Sequence, residues 1–444
     1  MGLISILTGK RRPPRAPVNL ADPEFKANPF PFYAKLRAES PVHRTVLPTG
    51  EPAWLVTRYD DVAAVLKDER FVKEPAHALT PQEVARLPWF RRLFKSLKRN
   101  MLEVDPPDHS RLRALVAKAF TPRLIDGMRP RIGSLTNHLL DKVYNRGRMD
   151  LIRDYALPLP CTIIAEILGV PAADRHQFHR WSKAVLDAAM STWSLVKAVP
   201  NVLLFIRYLR RIIKNRRAVP QDDLISALTR VEEGGDRLSE NELLAMVFLL
   251  LVAGHETTVH LIGTGMLTLL QHPDQLDLLR NDPSLMKTAV EELLRFTSPV
   301  EMATERFTRE DVTIARVTIP RGNMVFPVLA SANRDERQFA DPDSLDITRE
   351  PNKHVAFGIG AHFCLGAPLA RLEGQIALAT LLRRLADMRL AVHPELLRWR
   401  GGLLLRGLKA LPVTFQANHR CQLAPAVAAW PRRPGTPVAS RSRE

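Results

Sequence analysis

Through most of the chain, apolar and polar positions alternate with the period of an α-helix. In the short stretch Tyr59–Lys67, for example, Val62, Val65 and Leu66 fall on one helix face. Between residues 107 and 295 the pattern is almost entirely helical, and strand signals are few. The hydrophobic pattern therefore predicts a mainly α protein.

One predicted helix is longer than the others and runs from Ser239 to about Leu270. Its start is marked by Ser239 and Glu242, which have the spacing of a capping box. At ~1.5 Å per residue, a helix of this length crosses a whole domain. We expect it to form the central element of the fold.

Strand patterns appear late in the chain, at Val312–Ile319 and Met324–Val328. Residues 331–357 are rich in Asp, Arg, Pro and Asn and are predicted to form a long ordered loop. A further helix is predicted over Ala367–Leu385. The predicted fold class is mainly α with a small β region.

Positive charge is concentrated at the two ends of the chain, which has 64 Lys and Arg against 47 Asp and Glu. Residues 1–19 are predicted to be a flexible basic segment, and residues 417–444 a Pro/Ala/Arg-rich disordered tail. Residues 20–416 then form one domain. No zinc-finger spacing or RNA-binding aromatic motif accompanies the charge, so nucleic acid is not expected as a partner. An acidic protein partner is a better explanation of the basic surface.

No segment reaches the ~20 apolar residues needed to span a bilayer, so no transmembrane segment is expected. The longest apolar run, Ala245–Ala253, is followed directly by polar residues. The apolar stretch Gly2–Leu7 is too short for a convincing signal peptide, and both a frayed terminus and a weak membrane-surface contact remain open. The three cysteines exclude a disulfide framework and indicate a reducing compartment, so a cytoplasmic location is expected.

The strongest chemical signal is the stretch Phe357–Gly366, with the sequence FGIGAHFCLG. Its glycines Gly358 and Gly360 allow a tight turn and a close approach to a flat ligand. Cys364 lies where this loop becomes a helix, and free N–H groups there favour a thiolate. A thiolate is the iron ligand that promotes cleavage of the O–O bond on a haem. Cys161, in an apolar run, is predicted to be structural.

A second signal, Ala253–Thr258 (AGHETT), lies near the middle of the long helix. A glycine there costs about 1 kcal/mol relative to alanine, and Glu256 follows an apolar stretch, so a function must compensate for both. The pair His255 and Glu256 is not a metalloprotease motif. The second histidine of that motif would have to stand at position 259, which is Val259.

The first motif continues into LAR at residues 369–371 and resembles the haem loop of the cytochrome P450 family, F-G-x-G-x-H-x-C-x-G-x-x-L-A-R. The second resembles the oxygen-activating segment of that family, A-G-x-[DE]-T. This resemblance, over about residues 20–416, implies a triangular helical prism with haem b between the long helix and the Cys364 loop. It implies that Cys364 ligates the iron and that Glu256 and Thr257 relay protons to dioxygen.

The resemblance also implies a set of haem contacts and a brace. His109 and Arg113 match the H-x-x-x-R pattern of a propionate-binding helix in the family. Arg306, His354 and His362 stand at positions that commonly bind the propionates as well. The full set of predicted haem contacts is His109, Arg113, Ala253, Gly254, Arg306, His354, Phe357, Gly358, His362, Cys364 and Gly366. In a structural role, Glu292, Arg295 and Arg349 resemble a buried triad that braces the haem loop.

The implied function is a monooxygenase that inserts one atom of dioxygen into an apolar small molecule. The chain has no cysteine cluster and no G-x-G-x-x-G after a strand, so NAD(P)H electrons must arrive through a separate ferredoxin and ferredoxin reductase. Arg111, Lys118 and Arg123 are a predicted basic dock for the ferredoxin. The stretch Pro299–Arg306 resembles family members that act on macrolides and related natural products.

Two other interpretations of the same motifs remain open. One is a non-catalytic haem sensor or carrier, and the other is a peroxygenase driven by hydrogen peroxide. The acid and alcohol at Glu256 and Thr257 disfavour both. A protein that only binds or carries a haem ligand needs no proton relay, and peroxygenases of the family usually lack the acid–alcohol pair.

Overall fold

A computed structural model describes residues 18–86, 97–174, 192–233 and 235–417, together with Gln177, Arg180 and Trp181. Within these residues most of the regular structure is helical. The α-helices are α1 Pro23–Ala27, α2 Phe30–Glu39, α3 Tyr59–Lys67, α4 Pro81–Arg86, α5 Asp108–Ala119, α6 Pro122–Gly127, α7 Arg129–Asp141, α8 Pro158–Ile167, α9 Thr192–Ala218, α10 Leu224–Arg230, α11 Glu240–Ala253, α12 Glu256–Gln271, α13 Pro273–Asn281, α14 Met286–Thr297, α15 Leu329–Ala332 and α16 Ala367–Arg384.

The strands are short and form small sheets at the periphery of the helices. They are β1 Val42–Val46, β2 Pro52–Val56, β3 Phe71–Val72, β4 Arg148–Asp150, β5 Glu232–Glu233, β6 Asp236–Arg237, β7 Arg306–Thr308, β8 Val312–Ile314, β9 Val317–Ile319, β10 Met324–Pro327, β11 Leu385–Leu390 and β12 Pro412–Ala417. One sheet has the order β1-β2-β10-β7-β3, with β2 parallel to β10 and the other pairs antiparallel. A second has the order β11-β12-β4, and β5-β6 and β8-β9 are hairpins.

Helix α12 lies at the centre of the main hydrophobic core. Most of its residues are buried, and it packs against α14, α16 and a π-helical turn at Ile152–Ala156. A helix that is apolar on nearly all sides belongs in the interior of a domain. The predicted mainly α fold with a small β region is confirmed.

The predicted single helix from Ser239 to Leu270 is wrong in one respect, because it is interrupted between α11 and α12. A Cβ on Gly254 would clash with the Leu250 carbonyl oxygen, so only glycine fits there. Side chains bond carbonyl groups that the interruption leaves without helical partners. His255 Nδ1 lies 2.8 Å from the Leu251 oxygen, and the Thr257 hydroxyl donates to the Ala253 oxygen at 3.2 Å.

Other predicted elements agree with the structure to within a residue or two. Helix α3 and the capping box of Ser239 and Glu242 are confirmed, and α16 ends one residue before the predicted end. The predicted strand Val312–Ile319 is instead a hairpin. Its turn places Ala315 and Arg316 at φ values of 46° and 66°, which interrupt an extended strand.

By length and composition, the segment Glu240–Gln271 would be able to cross a membrane, contrary to the expectation from the sequence. In the fold, however, 61% of its most apolar 18-residue window is buried inside the protein. Burial of this kind is typical of the core helix of a soluble protein, and it explains why the segment is so apolar.

Candidate active site

The loop Phe357–Gly366 turns sharply before it enters α16. Gly358 and Gly360 have φ values of 67° and 74°, in the left-handed region that glycine adopts without steric cost. The Cys364 N–H donates to the Phe357 oxygen at 3.0 Å, which closes the loop on itself. The two glycines are therefore needed where the sequence predicted them, and they fix the position of Cys364.

Cys364 lies deep in the molecule, yet its side chain is accessible. Burial raises the pKa of its thiol, while N–H groups of Gly366 and Ala367 that donate to the sulfur, together with the charge of Arg113, act in the opposite direction. These N–H groups belong to the first turn of a helix, where they have no helical partner and favour a thiolate. By contrast, burial, with the nearby carboxylates of Glu256 and Glu373, raises the pKa of the Cys161 thiol well above its usual value, which agrees with a structural role.

Four of the five predicted propionate-binding residues come together on one side of this loop. The rings of His109 and His362 lie 4.3 Å apart, centre to centre. The pKa of His362 is lowered to about 3, mainly by burial and to a smaller extent by nearby basic groups that include His109, Arg306 and Arg113. Burial likewise lowers the pKa of Arg306 to about 10. The groups thus form a buried cluster of cations and neutral imidazoles.

Lys73 is a fifth member of this cluster that the sequence did not reveal. Its ammonium group donates to the Thr304 hydroxyl at 2.5 Å and to the Glu305 carbonyl oxygen at 2.7 Å. Burial, reinforced by Arg306, lowers its pKa to about 8. The only signal in the sequence was a lysine directly after two apolar strand residues, which is too common to interpret.

The structure does not place His354 in this cluster. Its Nε2 lies 3.1 Å from Glu291 Oε2, and the same carboxylate accepts from Arg371 at 2.7 Å. Its Nδ1 accepts from the Ala356 N–H at 3.2 Å. Both ring nitrogens are therefore used in bracing the start of the haem loop against α14 and α16.

At the helix interruption, the predicted catalytic side chains have different environments. Ala253 is exposed, Gly254 and Thr257 are half-buried, and Glu256 is buried. The Glu256 carboxylate accepts a hydrogen bond from the Arg400 guanidinium, and His260 Nε2 lies 3.9 Å from it. Arg400 lies between β11 and β12, 144 positions from Glu256, so no local pattern indicated this ion pair.

The predicted brace is confirmed as a buried network. Both carboxylate oxygens of Glu292 accept from Arg295 at 2.7 Å, and Arg349 Nε donates to Oε1 at 3.2 Å. Arg295 also donates to the Asn333 oxygen at 2.9 Å. The side chain of Asn333 in turn accepts from the Val355 N–H at 2.8 Å, two residues before the haem loop.

Comparisons with a family model and with known proteins agree on the family of this chain. A family model described as Cytochrome P450 matches residues 190–386. Cytochrome P450 monooxygenase PikC of Streptomyces venezuelae is 45% identical over 92% of this chain and 96% of its own length. The chain belongs to the cytochrome P450 family.

Solved structures of other P450 proteins show the same fold. The Bacillus subtilis bacillaene polyketide synthase P450 PksS is 44% identical, with a TM-score of 0.84 over 90% of this chain and all of that one. P450BioI, solved in complex with an acyl carrier protein ligated with hexadec-9Z-enoic acid, is 42% identical, with a TM-score of 0.81 over 89% and 99% of the two chains. The protein is therefore a bacterial P450 monooxygenase.

The P450 family uses haem b, and the residues present fit that group. Haem b carries two propionate carboxylates and an iron with an affinity for a thiolate. The chain offers an accessible Cys364 thiol, and beside the same loop a buried cluster of basic groups. Both ring nitrogens of His109 are buried without a partner among the described residues, and a carboxylate would provide one.

Proposed function

We propose that this P450 inserts one atom of dioxygen into an apolar small-molecule substrate, by hydroxylation or epoxidation. The observation that carries the proposal is the loop Phe357–Gly366, which presents an accessible thiol with two backbone donors. The same loop places His362 in the cluster of basic groups. When bound, haem b supplies the activation of dioxygen.

The proposed haem site divides into three groups of residues. Cys364 binds the iron, and Phe357, Gly358 and Gly366 form the loop around it. Ala253 and Gly254, at the end of α11, are the small residues beside which dioxygen would bind. The propionate carboxylates are bound by Lys73, His109, Arg113, Arg306 and His362.

Protons are delivered by Glu256 and Thr257 in this proposal. The Thr257 hydroxyl donates its one hydrogen to the Ala253 oxygen at 3.2 Å and has two acceptor positions that can hold a water. Rotation of the hydroxyl away from Ala253 would let it pass a proton on. Glu256 is buried, but the side chain of its partner Arg400 is 34% exposed. Because an arginine does not release its proton at physiological pH, Arg400 orients Glu256 at the border with solvent and is a positioning residue.

We further propose that the protein works in the cytoplasm with a ferredoxin and a ferredoxin reductase as electron donors. The structure changes the expected docking surface. Arg111 donates to Glu242 and lies 3.3 Å from Asp108, so its charge is already matched within the protein. Arg123 is exposed and is therefore a better candidate than Arg111 for contact with an acidic ferredoxin.

The proposed function is tested by screening apolar compounds for a spin-state shift in the purified ferric protein. A compound that shifts the spin state should also yield an oxygenated product when NAD(P)H, ferredoxin and reductase are supplied. Binding without NAD(P)H consumption would contradict the proposal and favour a haem sensor or carrier. Turnover with hydrogen peroxide alone, and none with electron donors, would favour a peroxygenase.

A further inference from the structure

Helix α9 contains seven Lys and Arg residues and no Asp or Glu. One of them, Arg216, is buried and donates to Asp223. Five others are exposed, and none forms an ion pair with any residue that the structure describes. These five, which we call the basic strip of α9, are Arg207, Arg210, Arg211, Lys214 and Arg217.

The basic strip follows one face of the helix, because its members are separated by three or four residues. From Arg207 to Arg217 it extends for ~15 Å along the axis. Like charges at this spacing repel one another and destabilise a helix. A partner that supplies anions would reduce this repulsion and stabilise α9. At its N-terminal end, Leu203 and Leu204 are 54% and 52% exposed, which adds an apolar contact surface.

The location of α9 separates this strip from the surface around Cys364. Helix α9 packs against α10 and α11, and the ring of Phe205 lies 6.0 Å from that of Phe248 in α11. Helix α16, which follows Cys364, packs instead against α7, α12 and α14, among other elements. Helix α9 therefore lies over α11, which ends at Ala253, and presents the basic strip to solvent on its opposite face, where a partner that brings substrate could bind.

The chemistry of the strip indicates which kind of partner it fits. A helix that lies in a membrane surface buries its apolar face in lipid, but the apolar face of α9 is packed into the protein core. A phosphate backbone would match the charges and leave the two leucines unused. An acidic protein with a small apolar surface patch matches both the positive charges and the two leucines, since protein interfaces combine an apolar centre with a polar rim.

We propose that the basic strip of α9, with Leu203 and Leu204, is the docking site for an acidic carrier protein that presents a covalently attached acyl substrate. This proposal rests on the proposed monooxygenase function, because a docked acyl chain has to be a substrate of that reaction. It names a substrate class, an acyl chain on a carrier, and a surface for its delivery that is separate from the electron-donor dock. Its test measures binding without turnover.

The experiment uses the haem-loaded protein and, as the probe, an acyl carrier protein charged with a long-chain fatty acid. Binding is measured by fluorescence anisotropy, and entry of the chain by the spin-state shift. The test variant is Arg207→Glu/Arg210→Glu/Lys214→Glu. The control variant, Arg389→Glu/Arg398→Glu/Lys409→Glu, makes the same change in net charge at exposed sites elsewhere.

We expect the test variant to bind the carrier on the order of 100-fold more weakly, with a shallower salt dependence, while the control stays close to the parent protein. Leu203→Ser/Leu204→Ser should weaken binding without changing the salt dependence. An unaltered spin-state response to the free fatty acid would show that all variants keep the haem site.

Four outcomes would overturn the docking proposal. The parent protein does not bind the carrier, or the test and control variants are weakened equally. The test variant loses binding of a ferredoxin and keeps that of the carrier, or it loses binding of phosphatidylglycerol vesicles instead. If free fatty acids and other apolar compounds also gave no spin-state shift or product, the proposed function would fail separately.

Discussion

The substitution Arg295→Met tests the brace behind the haem loop. The side chains of Arg295 and Glu292 are both fully buried. Methionine has a similar length but donates no hydrogen bond, so the Glu292 carboxylate stays buried without its main counter-charge. The carbonyl groups of Asn333 and Pro342, which accept from Arg295 at 2.9 and 2.8 Å, also lose their donor.

The expected loss in the free energy of unfolding follows from these contacts. Removing one partner of a buried ion pair costs ~3–5 kcal/mol. The low end applies, because Arg349 and Asn352 still donate to Glu292. Each carbonyl left without a donor adds about 1 kcal/mol, so the total is roughly 5 kcal/mol. With an unfolding entropy of ~2.1 cal/mol/K per residue over roughly 400 residues, this corresponds to a decrease in Tm of about 6 °C.

The assay is calorimetry at a fixed haem content, with Arg349→Met as the matched control. The Arg349 side chain is 12% exposed, makes one longer bond to Glu292 and donates to the Ala340 oxygen at 2.8 Å, so its loss should cost only about 2 kcal/mol. The variant Glu292→Gln/Arg295→Met should recover part of the loss, because no buried charge is left. A Tm for Arg295→Met within about 1 °C of the parent protein, or equal to that of Arg349→Met, would refute this reasoning.

Three further predictions concern groups in and around the site. Thr257→Ala should keep a normal haem spectrum and similar NAD(P)H consumption but yield less product and more hydrogen peroxide. The control Thr258→Ala should change these yields less, because its side chain points to a different side of the helix. An unchanged ratio of product to NAD(P)H in Thr257→Ala would assign proton delivery to another group. Lys73→Met should release haem to an excess of apomyoglobin about 10-fold faster, because one propionate cation is lost, and an unchanged rate would remove Lys73 from the haem site. Burial raises the pKa of Glu373 from 4.5 to about 8, so its carboxyl is neutral in the fold while the unfolded chain ionises earlier. Stability should therefore fall as pH rises from about 4.5 to about 8, and Glu373→Gln should lessen that fall in Tm; equal pH slopes for both proteins would contradict this.

Local patterns in the sequence were enough to predict α16 and the capping box of the long helix, because each is encoded in a few neighbouring residues. The haem loop and the set Glu292, Arg295 and Arg349 were predicted from the resemblance to the P450 family, since Arg349 lies 57 positions from Glu292 and no local pattern joins them. The interruption at Gly254 was missed, because the apolar pattern continues across it and only the close approach of Leu250 shows why it exists.

The contacts that could not be predicted join segments distant in the chain. Arg400 pairs with Glu256 across 144 positions, and Lys73 reaches Thr304 across 231. His354 was assigned to the propionates, but a histidine beside the loop is equally able to bond Glu291, and only the tertiary packing decides. Such choices depend on which side chains the fold brings together, which no local pattern contains.

The central claim is that the Cys364 sulfur ligates the haem iron, and the spectrum of the reduced carbon monoxide complex tests it most directly. A thiolate ligand gives this complex a strongly red-shifted Soret band. We expect that band in the parent protein and in Cys161→Ser, which changes a cysteine predicted to be structural. Cys364→Ser should bind haem without the band. If Cys364→Ser kept the band, the iron would have a different thiolate ligand and the central claim would be wrong.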